Sequence, residues 1–63
     1  MKVFHVDAKR SPDGVWVLES KELGVVSQTD SLDRAEDEVR EAVAFQSGLA
    51  EDEFKIKVTP MEP

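Results

Sequence analysis

Residues 31–47 read Ser31-Leu32-Asp33-Arg34-Ala35-Glu36-Asp37-Glu38-Val39-Arg40-Glu41-Ala42-Val43-Ala44-Phe45-Gln46-Ser47, and this stretch decides the fold. Leu32, Ala35, Val39, Ala42 and Val43 recur at three- and four-residue spacing, which predicts a helix with one apolar stripe. Ser31 suits the N-cap, where its side chain would accept a backbone N–H bond, and Asp33 adds negative charge near the positive end of the helix dipole. Gly48 is placed to end the helix in a left-handed conformation, with Leu49 folding back on the last turn. The rest of the circumference carries Asp33, Arg34, Glu36, Asp37, Glu38, Arg40 and Glu41, five acids against two bases.

Outward from this helix the period changes from helical to alternating. On the N-terminal side, Phe4, Val6 and Ala8 alternate with His5, Asp7 and Lys9, as in a strand with one buried face. Ser11-Pro12-Asp13-Gly14 is a turn in which proline presets the first central φ, aspartate suits the second, and glycine takes the positive φ that follows. A second strand follows at Val15–Ser20 and a third at Val25–Thr29, joined by Lys21-Glu22-Leu23-Gly24. Beyond the helix and the acidic loop Ala50–Glu53, Phe54-Lys55-Ile56-Lys57-Val58-Thr59 alternates again, and Pro60 is expected to end it.

The order is therefore β-β-β-α-β in a single α+β domain over residues 1–63. An antiparallel meander is followed by a helix that crosses the sheet with the usual right hand. The helix delivers a fourth strand parallel to the first, in spatial order 3-2-1-4. With Gly14 in the bulge that follows a type I turn, the expected register sets Val17 beside Ala8 and Trp16 beside Lys9. Val15 and Val17 would then join Phe4, Val6 and Ala8, leaving Trp16 and Leu18 on the far face with His5 and Asp7. A slip of one residue would exchange these faces. Because Val15–Leu18 and Val25–Val26 are apolar on both sides, the far face calls for a cover. A second copy, meeting Trp16 and Leu18, is the expected one.

Size points the same way. A chain of 63 residues lies near the lower limit for folding alone, since ordering costs about 1.5 kcal/mol per residue. Without cysteine it has neither disulfides nor thiolate metal ligands. The chain has no long apolar run, and Met1-Lys2-Val3 leads directly into patterned sequence, so the expectation is a cytoplasmic protein without signal peptide or membrane span. A net charge of −6 argues against direct nucleic-acid binding and for a basic partner.

The run Glu19-Ser20-Lys21-Glu22-Leu23-Gly24-Val25-Val26-Ser27-Gln28-Thr29-Asp30-Ser31-Leu32, continued by Ala35 and Arg40-Glu41-Ala42-Val43, resembles the HicB antitoxin family. That family's pattern has a strand ending in Glu-Leu-(Pro)-Gly, a short Val-Ser-Gln strand, and Ser/Thr-Leu opening a helix with Arg/Lys-Glu-Ala-Ile/Val. Gly48–Phe54 is similar as well, so the resemblance spans essentially the whole chain. It rests on the combined pattern, since none of these motifs is catalytic. Leu23 stands where the pattern has proline, and the helix-turn-helix or ribbon-helix-helix domain of many members is not in this sequence. The resemblance implies a partial ribonuclease-H-like fold and an antitoxin role. The implied partner is HicA, a small basic toxin that cleaves messenger RNA and is neutralised by occlusion. An orphan relative, a homo-oligomer of structural or regulatory use without a toxin, is the competing reading.

Little in the sequence suggests chemistry. His5, the only histidine, has no nucleophile paired with it by motif. Asp7 on the first strand with Glu36 or Glu41 on the helix would suit a metal-dependent nuclease only if the carboxylates converged on ions roughly 4 Å apart. Asp7 is expected opposite the helix, so neither an enzyme nor a metal or cofactor site is predicted. The acidic helix face is the candidate partner surface: Asp33, Glu36, Asp37, Glu38 and Glu41. Its bland alternative is a solvated face supported by Glu36–Arg40 and Arg34–Glu38 ion pairs. Against that, Asp33–Asp37 and Asp37–Glu41 are like-charged neighbours that helix support alone would avoid. The purified protein should leave RNA and DNA intact in Mg²⁺ or Mn²⁺; cleavage that vanishes in Asp7→Asn would overturn the non-catalytic reading.

Overall fold

The computed structural model describes residues 1–61. Three strands, β1 (Lys2–Arg10), β2 (Trp16–Ser20) and β3 (Val25–Thr29), precede a single 3-10 turn, Leu32–Arg34. The turn leads into α1 (Ala35–Ser47), and β4 (Phe54–Met61) is the last described element. The sheet order is β3-β2-β1-β4, with β4 parallel to β1 and the other pairings antiparallel, as the α+β reading expects.

The helix packs on one face of the sheet. Ala35, Val39 and Val43 are buried against Phe4, Val6 and Ala8 of β1, Leu18 of β2, Val25 of β3, and Phe54 and Ile56 of β4. Leu32 and Ala42, the other members of the predicted stripe, are half-buried at its margin. Phe4 and Phe54 meet edge to face with ring centroids 5.7 Å apart, which ties the parallel β1–β4 pair together. Gly48 ends α1 at φ 74° with its N–H donating to the Ala44 carbonyl, and Leu49 packs back on the core.

Three expectations change in detail. The Ser31 side chain makes no capping bond. Thr29, buried at the end of β3, holds this corner instead: its hydroxyl donates to the Ser31 carbonyl at 3.1 Å and accepts the Ser31 N–H at 3.3 Å. Pro60 does not end β4, which runs on to Met61 and pairs Pro60 with Ala8. An edge strand is bonded on one side only, so a proline is tolerated where its missing N–H would face outward.

The third change is the hairpin register. Ser11 donates its N–H to the Val15 carbonyl at 2.8 Å, and its hydroxyl shares its one proton between that carbonyl, also 2.8 Å away, and the Asp13 carboxylate. The Gly14 N–H, at φ 90°, returns to the Ser11 carbonyl. Asp13 accepts from the Ser11 hydroxyl and from the Val15 N–H, and these bonds to its charged form hold its carboxyl below the usual aspartate range. The loop closes on Ser11 and Val15, so Arg10 faces Trp16 and Ala8 faces Leu18, one residue from the expected pairing.

Every side chain of β2 consequently changes face. Leu18 is fully buried under the helix, Trp16 is half-buried and packs against the same core, and Val17 turns outward beside Lys9. Trp16 and Leu18 therefore do not lie on the open face where a second copy was expected to meet them. Ser20 is carried inward as well, and its hydroxyl is buried without a hydrogen-bond partner among the described residues, a deficit of the order of 1–3 kcal/mol.

This register has a direct test. Leu18→Ala should destabilise the protein by about 3 kcal/mol, a large share of what so small a domain holds, while Val17→Ala should change stability by less than about 0.5 kcal/mol. Urea titrations of the two variants would show the reverse ranking if the faces were exchanged.

Candidate protein-binding surface

All five predicted acids, Asp33, Glu36, Asp37, Glu38 and Glu41, are exposed, but they are not equivalent. Glu36 is engaged by Arg40, with Nη2 to Oε1 at 2.6 Å. The same guanidinium donates through Nη1 to the Glu51 carbonyl at 3.0 Å and lies 5.6 Å from the centre of the Phe54 ring. Arg40 thus fastens the helix to the loop before β4, and Glu36 holds the arginine in position. That loop is closed further by Ala50 and Glu53, each donating its N–H to the other residue, Ala50 to the Glu53 carboxylate and Glu53 to the Ala50 carbonyl.

The expected Arg34–Glu38 ion pair is not formed among the described residues. Arg34 and Glu38 instead line a shallow polar hollow with Val15, Gln28, Thr29 and Asp30, where the first turn of the helix overhangs the end of β3. Glu38 also borders a second hollow with Glu41, Ala42 and Phe45. Spacings of three, four and seven residues bring Glu38, Glu41, Ala42 and Phe45 onto one flank of α1.

Phe45 is the feature that sequence reasoning passed over. It is 83% exposed, more than any other large apolar side chain among the described residues. Its position was legible, because it falls outside the Ala35–Val39–Val43 stripe and two turns beyond Glu38. An exposed phenyl ring flanked by two carboxylates packs little against the rest of the described residues. It offers an apolar anchor set in negative charge, the combination that suits a basic partner. Asp33 stands in the 3-10 turn ahead of this group, and Asp37 lies one turn before Glu41.

The sheet face away from the helix is mixed. Val3, Val17, Val26 and Met61 are exposed there, interrupted by His5, Lys9, Gln28, Lys55 and Lys57 and by the half-buried Asp7 and Glu19, which face each other across β1 and β2. Asp7 and the helix carboxylates Glu36 and Glu41 are on opposite sides of the sheet, so they do not converge. Among the described residues no three His, Asp or Glu side chains gather as a metal site would require. His5 donates its backbone N–H to the Glu22 carboxylate at 2.9 Å, a bond that ties the β2–β3 turn to β1. No helix among the described residues is long and apolar enough to cross a membrane. No family model matches the chain, and no curated protein or solved structure matches it.

The division of the helix into a fastening side and a free side can be measured. Arg40→Ala should cost about 1 kcal/mol, through the lost ion pair, carbonyl bond and ring contact. Phe45→Ala should leave thermal stability within about 0.5 kcal/mol of the parent. A large loss in the Phe45 variant would mean that the ring supports the fold rather than standing free of it.

Proposed function

We propose that this chain is a HicB-like antitoxin module that binds a basic HicA-type messenger-RNA-cleaving toxin and neutralises it by occlusion, without catalysis of its own. The observation that carries the reading is Phe45, exposed between Glu38 and Glu41 on an acidic helix flank. The family resemblance of residues 19–43 supports it, as does a strand-and-helix order of the kind that the resemblance implies. On this reading the carboxylates draw the cationic toxin in, and the phenyl ring enters an apolar recess that holds it. Charge would then govern the association rate and its sensitivity to salt, and the ring would govern dissociation.

An orphan homo-oligomer is the second reading, favoured by the exposed Val3, Val17, Val26 and Met61 on the open sheet face. Lysine, histidine and acidic side chains divide those residues, so this patch is a weaker candidate for a dry contact than a face carrying Trp16 and Leu18, as the sequence led us to expect, would have been.

Binding rates separate the two. The double variant Asp37→Lys/Glu41→Lys should associate with a HicA-type toxin more slowly at low salt, with the difference shrinking as salt is raised, and circular dichroism should show an unchanged fold. Phe45→Ala should mainly raise the dissociation rate. If both variants neutralise the toxin as well as the parent does, the helix flank is merely solvated. A dimer at micromolar concentration that binds no toxin would favour the oligomer.

A further inference from the structure

The two edges of the sheet are built differently. On β4 the exposed side chains include Lys55 and Lys57, and Pro60 interrupts the donor series, both devices that discourage pairing with another strand. On β3, the opposite edge, Val25-Val26-Ser27-Gln28-Thr29 contains no charge and no proline. Its backbone is paired with β2 on one side only. Val26 stands 66% exposed on the open face of this edge. On the helix side, the hollow beyond Thr29 is bordered by Asp30, Arg34 and Glu38, two carboxylates to one guanidinium, and Glu38 continues it toward Phe45 and Glu41.

From this juxtaposition we infer that β3 is a docking edge for an extended, basic segment of a partner protein, which adds to the sheet as a fifth strand. Main-chain hydrogen bonds to β3 would supply affinity, and alternate side chains would supply selection. Residues of the added strand on the helix side would meet Asp30, Arg34 and Glu38, with Glu41 beyond them; the acids outnumber the one base, so lysine or arginine is the complementary choice on the Glu38 side. Residues on the other side would lie beside Val26, where a β-branched side chain fits. A second copy is the poorer occupant. Pairing β3 with itself would bring two flanks carrying Asp30, Glu38 and Glu41 together, between chains that each carry a net −6. The inference deepens the binding reading above and rests on its claim that the partner is basic.

A short synthetic peptide of alternating lysine and valine tests the edge without any toxin, with its backbone N-methylated counterpart as control. The peptide should bind the full chain and slow amide hydrogen exchange within Val25–Thr29, while the N-methylated control should not. Val26→Lys, which places a cation on the edge without touching the core, should weaken peptide binding by roughly tenfold or more with the fold intact. Three results would overturn the inference: peptide-induced protection on β4, changes confined to the helix carboxylates, or a parent dimer that Val26→Lys dissociates and the peptide does not compete with. Protection of Val25–Thr29 by the peptide, together with failure to bind a HicA-type toxin, would remove the antitoxin reading and keep the docking edge.

Discussion

The Ser11 N–H to Val15 carbonyl bond governs more of this molecule than its place in an exposed loop suggests. It sets the residue at which β2 starts to pair with β1, and a side-chain period of two converts that choice into a choice of faces. Leu18 then joins Val39 and Val43 in one buried core, and the single helix has a core large enough to hold it. The pairing also has a cost, since Ser20 is drawn into the same core with its hydroxyl unpaired among the described residues. The exchanged faces would carry Glu19 inward instead, and an unpaired carboxylate costs more to bury than a hydroxyl.

With Leu18 inside, the open face of the sheet is left with Val17 and Val26 as isolated apolar side chains among polar ones. A mixed face of this kind is ordinary for an antiparallel sheet with one side in water. Such a face needs no obligatory cover, and the distinctive surfaces of the molecule are the helix flank and the sheet edges. There the asymmetry is chemical. Lysines and a proline guard β4, whereas β3 is neutral and sits below the acidic flank that ends in Phe45.

The helix itself serves two purposes on two sides. Arg40 spans from Glu36 to the Glu51 carbonyl and the Phe54 ring, so one side secures the connection to β4. On the other side Glu38, Glu41 and Phe45 make no such contacts. The like-charged spacing that looked costly for an isolated helix lies in part on this free side, where a cationic partner would relieve it.

Much of the architecture was legible from periodicity and turn residues. Alternation over residues 2–10 and 54–59 marked β1 and β4, the stripe Ala35–Val39–Val43 with its terminator Gly48 marked the helix, and the turn residues Ser11–Gly14 and Lys21–Gly24 bounded β2 and β3. Local chemistry suffices there, because strand alternation and helical spacing are written in neighbouring residues. The faces of β2 were not legible, since Val15-Trp16-Val17-Leu18 is apolar at every position and offers no alternation from which to choose. Only the closing bonds of the loop and the fit of Leu18 beneath the helix made that choice. Nor did the sequence separate the acids, because all five fall within one stretch of helical spacing and all are exposed. Tertiary structure divided them by bringing Glu51 and Phe54 to Arg40 on one side and leaving Phe45 uncovered on the other, a partition set by which flank the returning chain happens to cross.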